Sequence, residues 1–262
     1  MKSVGLFLIF CLPLFSFSQT DFTVAAGARR TLTATERTLS LKTLSLGDNC
    51  VIIIPASMDG WTVTATDASI GTGVKIIGQG INGSHGSAGA TPSTAGNCLS
   101  GLNGGAGGNG SNGTPGKTVS LNLRIRKIGS LLINVTGGDG GNGGAGGGGG
   151  KGGNATCSCN AGTGGSGANG GRAGSGGNGG NVTVSYSAIG NTVISNSHFT
   201  VENAGGVAGL MAAAGSGGTG GTGITCTDQK SAAGQAGKSG SPGLAGAKGV
   251  PGNKGITTLQ SK

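Results

Sequence analysis

Cysteine is the side chain with the most chemistry to offer in this 262-residue sequence. Cys11 falls within an apolar N-terminal run, and Cys50, Cys98, Cys157, Cys159 and Cys226 follow it. The Cys157-x-Cys159 spacing suits a metal or redox motif, but no histidine pair or second cysteine pair with zinc spacing accompanies it. In an oxidising compartment the default is a disulfide framework with one thiol left over. His85 and His198 are isolated, no nucleophile-base spacing or carboxylate pair is evident, and the GxGxxG matches are products of a glycine repeat rather than phosphate loops. The expectation is therefore a non-enzymatic protein without a cofactor or a metal.

The chain opens MKSVGLFLIFCLPLFSFSQ, with one basic residue, an apolar run and then small residues. That pattern reads as a secretory signal peptide over residues 1–18, too short in its apolar core to span a bilayer. Its removal takes away Lys2 and leaves 16 basic against 8 acidic residues, a net charge of about +8. With one Trp and one Tyr in the chain, base stacking on nucleic acid is not supported. The charge suits a solvated basic surface or attraction to acidic glycans and envelope phosphates.

The cysteines sit in a repeating frame. Glycine recurs every third residue at 80, 83, 86 and 89, again from 101 to 116, and at two of every three positions in GGDGGNGGAGGGGGKGG, residues 137–153. Further runs cover 164–180, the region from 205, and 234–255. Between them lie strand patterns at 118–136 and 181–203, where apolar and polar residues alternate, as in Val119, Leu121, Leu123 and Ile125. Residues 19–79 read as an N-terminal β unit around Trp61, and 256–262 as a last strand or tail. The unit is thus a β rung, a glycine leg out, a polar tip and a leg back, repeated three times.

A three-residue period matches polyproline II geometry, in which every third side chain falls on one edge and a 17-residue leg such as 137–153 spans about 53 Å. Bare edges let neighbouring legs approach until backbone N–H groups meet carbonyls. The lattice is required, because each glycine loses roughly 0.5 to 1 kcal/mol more conformational entropy than alanine. The first and last legs have one glycine per triplet and belong at the periphery; the middle legs mostly have two. The last leg also reads as collagen-like Gly-X-Y with Pro242 and Pro251, but it is short, poor in proline and part of a doubled-back arm.

The fold class expected is all-β with polyglycine II: short β rungs, stacked parallel as a solenoid base, carry three two-leg arms in a six-leg bundle, with no α-helix after the signal. Each tip carries cysteine, one, two and one, so the middle tip is expected to be stapled to both neighbours through Cys98, Cys157, Cys159 and Cys226. Cys50 is then the unpaired thiol, either buried in the β unit or available for an intermolecular bond.

GGDGGNGGAGG and GSGGNGGN are similar to the glycine-rich motifs of phage tail-fibre-tip adhesins, and the six-leg, cysteine-containing layout resembles springtail antifreeze proteins. The resemblance covers roughly residues 80–255. The adhesins imply a β base with distal loops that recognise a bacterial surface; the antifreeze proteins imply ice as a partner.

Three functions follow as expectations. The first is a secreted adhesion or surface-structural protein whose tips meet a cell-surface glycan or envelope component, since loops on a rigid scaffold are where binding resides. Its candidate residues are Thr91, Ser93, Asn97, Asn154, Thr156, Asn160, Thr225, Asp228 and Lys230. The second is ice binding through a bundle face, where only Thr219 and Thr222 give a threonine row. The third is a fibre or matrix subunit that self-associates through β edges or Cys50. The sequons at Asn82, Asn109, Asn112, Asn134, Asn154 and Asn181 matter only in a glycosylating host.

Overall fold

The structure, a computed structural model, describes residues 20–227, 240–241 and 243–262. The signal-peptide reading and the tip residues Asp228 and Lys230 lie outside them. Eleven strands carry the description: β1 Thr20–Val24, β2 Arg29–Thr31, β3 Thr38–Leu46, β4 Val51–Ile53, β5 Gly60–Ile70, β6 Val74–Ile77, β7 Thr118–Ile128, β8 Leu131–Asn134, β9 Val182–Ala188, β10 Phe199–Glu202 and β11 Thr257–Ser261. The helical elements among the described residues are two 3-10 turns, Ala34–Glu36 and Asn196–His198. The chain is all-β, and its sheets are parallel.

Odd-numbered strands form one six-stranded sheet in the order β1-β3-β5-β7-β9-β11, and even-numbered strands form a five-stranded sheet in the order β10-β8-β6-β4-β2. Every strand pairing among the described residues is parallel, so each odd strand and the even strand after it make one rung. Strict alternation drives this: in β7, Val119, Leu121, Leu123 and Ile125 are buried and the residues between them face out. One apolar core runs through all rungs from Phe22 to Phe199, with Leu259 of β11 packed against it. The N-terminal β unit and the later rungs therefore share a single interior. Trp61 lies in it, tilted against Phe22 with ring centroids 6.0 Å apart.

Cys50 belongs to that core and is 0% exposed. Burial pushes its thiol up from the ordinary value. This decides between the two roles expected of it, because a thiol enclosed in the base cannot make an intermolecular bond in the folded chain. Native protein should resist a maleimide reagent at neutral pH and react at Cys50 once unfolded, which mass spectrometry of the alkylated peptide will show.

Six glycine-rich segments leave the base and return to it: leg 1 (79–97), leg 2 (100–117), leg 3 (136–155), leg 4 (162–181), leg 5 (203–222) and leg 6, whose described residues fall within 240–256. Legs 1, 3 and 5 continue β6, β8 and β10; legs 2, 4 and 6 run into β7, β9 and β11. The pairing in the sheets carries over into the legs. In the base, Val74 N–H donates to the Ser130 carbonyl, 56 residues on; Gly80 donates to Thr136, Gly89 to Ala145 and, near the tip, Cys98 to Asn154, all at that separation. The other parallel pairs keep separations of 62, 67 and 74, as in Gly101 to Thr163, Gly137 to Ala204 and Gly167 to Ser241. These bonds are 2.7–3.1 Å long and, in the legs, recur every third residue.

Legs 1, 3 and 5 thus make one row and legs 2, 4 and 6 a second. The rows are joined by antiparallel bonds, such as Gly144 N–H to Gly108 and Gly171 N–H to Gly144. Among the described residues, legs 3 and 4 each bond four neighbours, while legs 1 and 6 each bond two. That arrangement accounts for the glycine content. A Cβ on Gly144 of leg 3 would overlap the Ser87 carbonyl oxygen, and one on Gly171 of leg 4 the Gly108 carbonyl oxygen. The peripheral legs have open edges and carry side chains there.

Candidate functional site

At the far end of the legs, disulfides join Cys98 to Cys159 and Cys157 to Cys226, with Cα–Cα distances of 5.9 and 5.8 Å. The middle tip is thereby covalently tied to both neighbours. Cys98 holds a φ of 65°, a left-handed conformation uncommon for a residue with a side chain. A short turn in which Thr156 and Cys159 exchange backbone hydrogen bonds presents Cys157 to one side and Cys159 to the other. Thr156 Oγ1 lies 3.1 Å from Cys159 Sγ and 2.9 Å from Ser158 Oγ. Leu99 and Leu102 stand exposed beside the staple.

Of the tip candidates, Ser93, Asn97, Asn160 and Thr225 are exposed. Thr156 is half-buried and turned into the staple. Thr91 is spent on the leg lattice, its hydroxyl accepting the Gly148 N–H at 3.0 Å. Asn154 is likewise spent: its Oδ1 accepts from the backbone N–H and the hydroxyl of Thr222. Thr222 is therefore occupied, which leaves Thr219 as the member of the expected threonine row with no side-chain hydrogen bond among the described residues.

That use of Asn154 is one case of a pattern not anticipated from composition. Asn82 accepts from Asp139 N–H, Asp139 from Val207, Asn142 from Leu210, Asn103 from Ser166, Asn109 from Arg172, and Asn169 from Leu244, at 2.8–2.9 Å. His85 Nδ1 accepts in the same way from Asn142 N–H at 2.9 Å. The third residue of each triplet faces outward, and its backbone N–H has no carbonyl opposite; a short amide or carboxylate on the previous leg supplies one. The signal was present as Asn or Asp between glycines, spaced by multiples of three. His198 lies in the 3-10 turn before β10, its ring against Ser195, rather than on a strand.

The base surface holds a different set of polar groups. Arg126 forms a two-pronged ion pair with Asp67, which holds that carboxyl below the usual carboxylate range. Arg37 pairs with Asp59, and Arg30 pairs with Glu36 while stacking over Phe22. Among the described residues no group of three His, Cys, Asp or Glu side chains is placed to hold a metal, and no helix is long and apolar enough to cross a membrane.

No protein-family model matches the chain, and no curated protein matches it. Among solved structures, the nine polyproline type II helical bundle springtail antifreeze protein from Granisotoma rainieri is 24% identical over 69% of this chain and 94% of its own, with a TM-score of 0.10. A superposition that poor carries no argument about this chain's fold or function.

Proposed function

We propose that the legs are polyglycine II helices packed as a six-leg bundle, and that this is a secreted, non-enzymatic adhesion or surface-structural protein that binds through its tips. The observation that carries the reading is the pair of disulfides, which lock three loops into one surface at the end of the legs most distant from the base. Disulfides also suit an extracellular setting. Legs of this length would hold the tip on the order of 50 Å from the base in polyproline II geometry. Within the tip, the exposed Ser93, Asn97, Asn160 and Thr225, with Leu99 beside them, offer mixed polar and apolar contact to a cell-surface glycan or envelope component.

A fibre that continued the leg lattice from copy to copy is incompatible with the base. Repeating the lattice by translation would place a second copy's leg 1 behind leg 5, yet β1 to β4 form two rungs that stand ahead of leg 1. Those rungs would collide with β8 and β10 of the first copy. Ice binding through the leg faces is disfavoured by the side chains there, many of which are bound to backbone.

The test replaces Ser93, Asn97 and Thr225 together with glycine, keeping all four tip cysteines. Binding to intact cells of the producing organism is expected to fall at least tenfold, with thermal unfolding nearly unchanged. Equal binding by the variant would remove the tips from the function.

A further inference from the structure

Outward-facing residues of the odd-strand sheet fall into rows because its strands are parallel and in register. Thr38, Thr62, Ser120, Thr183 and Thr258 make one row across β3, β5, β7, β9 and β11. Ser40, Thr64, Asn122, Ser185 and Gln260 make the next. Nearly all of these hydroxyls make no hydrogen bond among the described residues, the exception being Ser185, which Gln260 covers. The leg faces differ, because many of their polar side chains are spent on backbone.

A third row is charged. Lys42 on β3 lies beside Thr66 on β5, whose hydroxyl donates to the Lys42 carbonyl. Arg124 on β7 follows, paired in register with Ser187 on β9, and Lys262 stands next to Ser187 at the end of β11. Cations thus stand on alternate strands, while on β5, where the register shifts between Ala65 and Ala68, Asp67 shares the position of Thr66 with its carboxylate tied to Arg126 of the adjacent row. Strands about 4.8 Å apart put their backbones about 10 Å apart. None of the three is in a salt bridge, in contrast to Arg126 in the adjacent row. Lys262 leans over β9, its amine donating to Asn122 Oδ1 at 3.1 Å.

We infer that this sheet face binds an extended acidic polysaccharide lying across the strands, with one carboxylate or sulfate per disaccharide over the cation row and sugar hydroxyls against the two neutral rows. The backbone spacing of the cation-bearing strands is of the order of a disaccharide in an extended chain, and the first neutral row supplies unengaged hydroxyls at fixed intervals, whereas in the second Asn122, Ser185 and Gln260 are bonded to neighbours. Nucleic acid fits less well, because the aromatic side chains of the base point into its core and none is available for stacking. A membrane fits less well, because the face presents no large apolar side chain. This site lies on the base, distinct from the tips, and stands whether or not the tips bind.

The test uses the whole secreted chain on immobilised hyaluronan, whose disaccharide carries one carboxylate, with neutral dextran and double-stranded DNA in parallel. Retention on hyaluronan at low salt is expected, falling steeply as salt rises, with little on dextran. Lys42→Ser with Arg124→Ser should weaken it at least tenfold. Lys248→Ser with Lys254→Ser, which removes the same charge from leg 6, should change it less than twofold. Moving one charge by a strand, Arg124→Ser with Ser187→Arg, should also weaken binding although net charge is kept. All five residues sit on the surface, and circular dichroism will confirm that the variants fold. Equal losses from the two double-lysine-or-arginine removals, full binding by the relocated-charge variant, or tighter retention on DNA would each overturn the assignment. The tip variant should bind hyaluronan normally, so this outcome and that of the tip test are independent.

Discussion

Gly144→Ala should destabilise the protein by about 3 kcal/mol or more, whereas Gly148→Ala, four residues further along the same leg, should be neutral or stabilise by about 0.4 to 1 kcal/mol. At Gly144 the new methyl meets the Ser87 carbonyl, and backbone on a neighbouring leg cannot swing aside as a side chain could. At Gly148 the nearest heavy atoms are 3.5 Å away, on Ser216 and Thr91, and the φ angle is one that alanine tolerates. Only the loss of chain freedom in the unfolded state then matters. Urea unfolding followed by circular dichroism measures both. Equal responses would mean that leg 3 is not enclosed by four neighbours, and the row arrangement would fall with it.

Loss of the tip disulfides should cost comparably. The two bridges close separations of 61 and 69 residues. In the chain-entropy model each constrains the unfolded state by about 4 kcal/mol. Cys98→Ser with Cys159→Ser, or Cys157→Ser with Cys226→Ser, should therefore lower stability by roughly that amount, and the four-cysteine variant by nearly twice as much. Trp61, buried in the base, reports whether the effect travels. Since the strand pairing continues unbroken into the legs, base and legs should unfold together, and the Trp61 emission transition should shift although the bridges lie at the far end of the legs. A Trp61 transition that stays in place while leg amides exchange early would show two independent units.

The parts of this molecule legible in its sequence are those with local periodicity. Period three in glycine and period two in β7 each declare an element within a dozen residues, and the one-two-one placement of Cys98, Cys157, Cys159 and Cys226 is visible without any three-dimensional information. Glycine content even ranks the legs, because a leg such as 137–153 with two bare edges can accept neighbours on both. What local patterns do not carry is alignment between segments 57 to 75 residues apart. The row formed by Lys42, Arg124 and Lys262 exists only once β3, β7 and β11 are brought into register, and along the chain its members look scattered. Cys50 was ambiguous for a different reason: it opens the run Cys50-Val51-Ile52-Ile53-Ile54, apolar throughout, so the sequence does not say which alternate residues turn inward, and in the structure Cys50, Ile52 and Ile54 do.

The bookkeeping of separations in the legs has a consequence for how such a chain can vary over evolutionary time. A leg that gains one or two residues puts side chains where glycines must be and breaks every lateral bond beyond the insertion. A gain of three lets the leg slip by one period, each amide finding the next equivalent carbonyl, with the surplus expelled outward. Base strands resist the slip because their apolar residues fill the core, so the extra triplet migrates to the tip. Length change in this molecule is therefore quantised in threes and collects in the loops between the cysteines, where new sequence can be tried without disturbing the scaffold beneath it.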